Sequence, residues 1–131
     1  MHAHVVLAHP EPQSFDAHLV RSGAAALEAA GWTVSSSDLY AIGFDPCEGP
    51  QRFPERADPA RFDAQSDQRR ASEIGALPKS VSDELASMER ADLLVLQYPM
   101  WWHLPPAMLK SLVRPRAGLW RGLYKPRLEL E

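Results

Sequence analysis

Val5-Val6-Leu7-Ala8-His9-Pro10-Glu11-Pro12-Gln13-Ser14-Phe15-Asp16 reads as a strand, a loop and a helix start in succession. Its first four residues are apolar and partly β-branched, which predicts a short buried strand. His9-Pro10 stops the run. Pro10 and Pro12 each push the preceding residue out of the α region, so the loop is extended. Ser14 or Asp16 then caps a helix predicted from about Asp16 to Ala30. Leu19, Ala26, Leu27 and Ala30 fall near helical spacing, and Gly31 is placed to end the helix. Thr33–Leu39 reads as a second strand, weakened by the polar run Ser35-Ser36-Ser37. Strand, helix and strand in that order form a βαβ unit, which demands a parallel sheet.

From Asp45 to Lys79 the pattern fades, because Pro46, Pro50, Pro54, Pro59 and Pro78 interrupt it and charges are frequent. One short helix is expected inside, near Gln65–Ser72, and so long an excursion in a compact domain is either functional or disordered. Another helix is expected over Ser80–Arg90. Leu93-Leu94-Val95-Leu96-Gln97-Tyr98 reads as a third strand, apolar on both faces in the manner of a central parallel strand. Pro99 ends it, Met100-Trp101-Trp102-His103 forms an aromatic loop, and Pro105-Pro106 opens a helix through Leu109.

The 131 residues suit a single domain with a core of its own. With 45% hydrophobic and 24% charged residues, wholesale disorder is excluded. A formal net charge of −3 argues against a nucleic-acid partner, which calls for a basic excess. Cys47 is the only cysteine, so an internal disulfide and a CxxC zinc site are both excluded and a reducing compartment is expected. Met1–Pro10 has neither the basic nor the apolar region of a leader, and no run approaches the roughly 18 apolar residues of a membrane span. A cytoplasmic protein without a membrane span is the expectation.

In an open parallel sheet, ligands bind beyond the carboxyl ends of the strands. Two loops are candidates there. His9–Asp16 offers an imidazole, a hydroxyl and backbone N–H groups at a helix start, which together suit a phosphate. It holds no glycine, so it is neither a Walker loop nor a GxGxxG fingerprint. Tyr98–His103 offers two adjacent tryptophans, on which a flat aromatic ligand would stack. The plainer readings are that His9 caps backbone groups and that Trp101 and Trp102 fill a core or an interface. His2 and His4 share a strand face, where a metal pair competes with a frayed, exposed terminus. Ser14, Asp16 and His18 make no hydrolase triad, since no GxSxG elbow is present. Cys47 has no nearby base and reads as incidental.

The His9–Asp16 stretch with its preceding strand resembles the first flavin-binding loop of the flavodoxin-like NAD(P)H:quinone oxidoreductases. Gly43-Phe44-Asp45-Pro46 is similar to the turn after their second strand, and Ala91–Trp102 followed by Pro105-Pro106-Ala107-Met108-Leu109-Lys110 resembles their most diagnostic segment. The resemblance implies an α/β, flavodoxin-like, doubly wound parallel sheet. It implies FAD, or alternatively FMN, as cofactor, with NAD(P)H as co-substrate and a quinone as acceptor, by two-electron ping-pong hydride transfer. It also implies a homodimer. His9, Ser14, Phe15 and Asp16 would hold the phosphate end of the flavin, with Asp16 standing where many relatives have Asn. Pro99, Met100, Trp101, Trp102 and His103 would wall the ring site, His103 replacing the more usual aromatic residue or glycine. Asp63 would meet the adenine half of FAD. No catalytic residue and no metal ligand is assigned.

The resemblance covers about Val5 to Lys110 and then breaks. Relatives continue with a segment like Gly-Trp-Phe-Asp-Arg-Val, whereas this chain reads Ser111-Leu112-Val113-Arg114-Pro115-Arg116. Pro115 is expected to end the helix that Pro105 begins. Leu112–Leu119 can be encoded CUG GUU CGA CCG CGU GCU GGU CUG, and dropping the first base yields Trp-Phe-Asp-Arg-Val-Leu-Val. A divergent, frame-shifted tail over residues 111–131 is therefore expected. With it goes an incomplete domain over residues 1–131, about three strands of the five in the flavodoxin-like order. The absent part would carry a third flavin loop and a Tyr/His pair assigned to hydride transfer. Two rival functions stay open: a flavin- or nucleotide-binding module without turnover, and an inactive remnant.

Overall fold

A computed structural model describes residues 1–113. Three strands, β1 (His2–Leu7), β2 (Thr33–Asp38) and β3 (Leu93–Gln97), form one sheet in the order β2-β1-β3, with both pairings parallel. These are the first three positions of the flavodoxin-like order 2-1-3-4-5. Leu7 pairs with Asp38 on one side and Gln97 on the other, so the carboxyl ends of all three strands lie level. The loops that follow them therefore open on one edge.

Helix α1 (Phe15–Ala29) packs on one face of the sheet. Ser14, extended, is its cap: its Oγ accepts from Ala17 N at 3.2 Å. At the other end Gly31 takes φ +83°, its N–H reaching Glu28 O while Trp32 N–H reaches Leu27 O. That pair of bonds is a Schellman stop, which needs a residue free to adopt the left-handed region. The excursion holds a 3₁₀ turn (Pro50–Arg52) and α2 (Ala64–Glu73). Helices α3 (Lys79–Glu89) and α4 (Ala107–Val113) complete the described chain. Val81 and Met88 of α3 and Leu109 and Leu112 of α4 share a buried cluster with Val6, Ala8, Leu39 and Phe44. Full burial of Phe44 alone is worth about 1.5–3 kcal/mol.

One expectation needs correction. β1 starts at His2 rather than Val5, and His4 is not at a frayed terminus: it is 2% exposed. Its Nδ1 lies 2.8 Å from Ser35 Oγ and its Nε2 3.4 Å from Ser37 Oγ, while Ser37 Oγ donates to Glu84 Oε1 at 2.9 Å. The serines that weaken β2 as an apolar strand are the groups that let a histidine enter the sheet. Burial holds the His4 imidazole below its ordinary value, against the opposing pull of Glu84. Among the described residues β3 pairs with β1 alone, and Leu93 and Leu96 are each 36% exposed; in the order 2-1-3-4-5 the third strand is the central one. Ser111–Val113 belong to α4; the rest of the divergent tail, with the break expected at Pro115, lies outside the described residues.

Candidate functional site

The first loop is held by its own polar groups. Glu11 N–H donates to His9 Nδ1 at 3.0 Å, Gln13 N–H to Glu11 Oε1 at 2.8 Å, and Ser14 N–H to Glu11 O at 3.1 Å. Arg21 on α1 reaches back to Pro12 O at 3.1 Å. Because Nδ1 of His9 accepts, the ring proton sits on Nε2. Among the described residues no acceptor meets the N–H groups of Phe15 and Asp16, which open the helix. That helix start carries the positive end of the α1 dipole, the usual seat of a phosphate.

The second loop is built differently. Leu104 N–H donates to Trp101 O at 3.0 Å, closing a four-residue turn. Its two middle residues, Trp102 and His103, have φ of 51° and 62°. Positive φ at both positions is the pattern of a type I′ turn, which Asn-Gly fills without strain. A tryptophan and a histidine there cost roughly 1–2 kcal/mol each. The turn holds Trp102 almost entirely in solvent, 93% exposed. Met100 and, on α1, Phe15 are also largely exposed. Among the described residues these tryptophans are therefore not core residues, and strained backbone of this kind occurs at ligand clamps among other places.

The sheet brings the two loops together. Ala8 N–H donates to Gln97 O at 3.0 Å, the rings of His9 and Trp101 lie 6.0 Å apart, and Gln97 Nε2 donates to Asp16 Oδ1 at 2.7 Å. His9 Nε2 stands 4.0 Å from Asp16 Oδ2. His9, Ser14, Phe15, Asp16, Pro99, Met100, Trp101, Trp102 and His103 thus all belong to one strand-end edge. Gln97 is a residue of this edge that the sequence alone does not single out. Its signal is a polar side chain at the carboxyl end of an otherwise apolar parallel strand.

Asp63 is not brought to this edge. It caps α2, its Oδ1 accepting from Ser66 N at 2.9 Å, and that bond holds its carboxyl below the ordinary carboxylate value. It lines a separate recess of about 340 Å³ with Ala57, Asp58, Arg61, Ser66 and Asp67. Cys47 is exposed. Among the described residues no group of three or more His, Cys, Asp or Glu side chains could hold a metal, and no helix is long and apolar enough to cross a membrane.

Strand order, level strand ends and the paired loops agree with a sequence comparison: residues 1–113 match the family described as flavodoxin-like fold, and the chain belongs to it. NAD(P)H dehydrogenase [quinone] 1 of Cavia porcellus is 35% identical over 108 residues, which are 82% of this chain and 39% of that protein. A ribosyldihydronicotinamide dehydrogenase-like protein of Penicillium crustosum is 34% identical over 109 residues, 83% of this chain and 41% of the relative. Among solved structures, an NAD(P)H:quinone oxidoreductase from Methanothermobacter marburgensis superposes with a TM-score of 0.66 at 27% identity. That match covers 88% of this chain and 52% of the other. The chain spans about half, or less, of the length of these relatives.

Proposed function

We propose that this chain is the flavin-binding part of an NAD(P)H:quinone oxidoreductase, using FAD or alternatively FMN. NAD(P)H is the hydride donor, a quinone the acceptor, the working form a homodimer and the compartment the cytoplasm. In this reading residues 1–131 are one partial domain, interrupted by the excursion over residues 45–79 and followed by the divergent tail over residues 111–131. The observation that carries the reading is the seating of an anion-ready helix start and an exposed tryptophan turn on the same strand-end edge. The donor set fits the group. Ser14 Oγ accepts from Ala17 N, which leaves its hydroxyl proton for a phosphate oxygen, and the Phe15 and Asp16 N–H groups are unmatched among the described residues. Trp102, with its face in solvent, supplies a stacking platform. A bound flavin supplies the two-electron redox chemistry, and the protein supplies position and electrostatics.

Each side chain then has a task. His9 fixes the backbone of the first loop through Nδ1 and turns its Nε2–H toward Asp16. Ser14, Phe15 and Asp16 bind the phosphate end through their O–H and N–H groups. Pro99, Met100, Trp101, Trp102 and His103 orient the ring and keep water from one side of it. Asp63, apart from the edge, reaches only an extended dinucleotide such as FAD, so a preference for FAD over FMN would be its contribution.

The alternative reading is flavin or nucleotide binding without turnover. The same experiment decides between them. Titrating the full chain into FAD and FMN should quench flavin fluorescence, with dissociation constants below 100 μM, about −5.5 kcal/mol. NAD(P)H is then added with and without a quinone. Quinone-dependent NAD(P)H oxidation supports the enzyme; quenching without oxidation supports the module. No binding of either flavin at that concentration would refute both.

A further inference from the structure

Asp16 and Gln97 stand 81 residues apart in sequence, on the first turn of α1 and the last position of β3. Their side chains meet at 2.7 Å, Gln97 Nε2 donating to Asp16 Oδ1. The other carboxylate oxygen, Oδ2, faces the protonated Nε2 of His9 at 4.0 Å. Both oxygens are thus turned toward donors of the protein, and the side chain is only 17% exposed. An ionised carboxylate has no proton to donate, so it cannot bind phosphate as an amide can. Facing a phosphate directly, it would repel it.

We propose that Asp16 is a positioning residue whose carboxylate clasps the strand-end edge, holding Gln97 of β3 and His9 of the first loop so that the anion-binding helix start and the tryptophan turn keep a fixed separation. Gln97 is the second half of the clasp. The inference rests on the flavin reading above for its functional consequence, but the tie between the two side chains is independent of any ligand. A flavin phosphate is then bound by the Asp16 backbone N–H while the Asp16 side chain faces away from it.

The test compares the full chain with Asp16→Ala, Asp16→Asn, Gln97→Leu and the Asp16→Ala/Gln97→Leu double variant. FMN and riboflavin dissociation constants are measured beside the thermal midpoint. A residue that merely supports folding would weaken both ligands alike. The clasp predicts that Asp16→Ala weakens FMN about tenfold, the scale of a charge-assisted hydrogen bond, and riboflavin much less. Gln97→Leu should do the same, and the double variant should be no worse than either single. Asp16→Asn keeps an oxygen for Gln97 and should restore most of the FMN preference. The idea is overturned if Asp16→Ala binds FMN more tightly than the parent, if the two single effects add in full, or if Asn fails where Asp succeeds. Should the parent bind neither FMN nor riboflavin, the flavin reading fails. The clasp is then decided by the thermal midpoints: non-additive losses support it and additive losses overturn it.

Discussion

The two strand-end loops solve opposite problems. The His9–Asp16 loop satisfies itself, with backbone donors met by His9, Glu11 and Ser14, and leaves only the helix-start N–H groups open. The turn at Trp101–Leu104 does the reverse: its backbone is strained at two consecutive residues, and its largest side chain stands in solvent. The first loop meets its backbone donors from within, whereas the second carries strained backbone beneath an exposed side chain. Under the proposed function the first is a rigid anchor and the second a clamp, and substitutions in each should respond differently.

The largest effect is expected beneath the clamp. Leu112 on α4 is fully buried, and α4 seats the second loop on the core. Leu112→Ala should cost about 2–5 kcal/mol in a denaturant titration. A loss under 1 kcal/mol would mean that the turn is not anchored through α4. Next comes the anchor: Ser14→Ala removes the α1 cap and should cost about 1 kcal/mol of stability, together with FMN affinity. If the midpoint is unchanged, the cap is dispensable and the loop is not self-sufficient. His103→Gly should go the other way. It removes left-handed strain at φ 62°, partly offset by the entropy of glycine, for a net gain below about 1 kcal/mol. Destabilisation there would show that the turn is not strained.

Trp102→Ala sharpens the contrast most, because stability and binding should part. With the side chain exposed, the change in stability should stay within about 0.5 kcal/mol, whereas flavin affinity should fall about three- to tenfold, the worth of a stacked aromatic pair. Equal losses in both would return Trp102 to a structural role. The smallest effect is remote from both loops. The folded-state value of Asp63 is below its ordinary one, so its contribution is present above the ordinary carboxylate range and lost as pH falls through the lowered value. The amide resonance of Ser66 should report that titration while the loop amides do not follow it. Loop amides moving in step with Ser66 would couple the recess to the edge.

The fold was legible because βαβ order, proline punctuation and Gly31 are local signals, and the diagnostic run Ala91–Trp102 lies mostly in one strand and its loop. The excursion helix near Gln65–Ser72 appears as α2, its start marked by the Asp63 cap. What escaped the sequence depends on contacts across the sheet. His4 could be placed only once Ser35, Ser37 and Glu84 surrounded it, because a polar residue in a strand reads as exposed until its partners are known. The pairing of Gln97 with Asp16 joins residues that no local pattern relates. The positive φ at Trp102 and His103 left no trace either, since neither residue favours that region. The candidate site was thus readable as two loops on one strand-end edge, but the Asp16–Gln97 contact that ties them was not.

That joining can be observed in a single amide and indole correlation spectrum of the full chain, recorded as FMN is added. The account predicts concerted shifts at the Ser14, Phe15 and Asp16 amides and at the Trp101 and Trp102 indoles, saturating together, while Ala57 and Ser66 beside Asp63 stay in place. Shifts confined to the Asp63 recess, or to only one of the two loops, would contradict it.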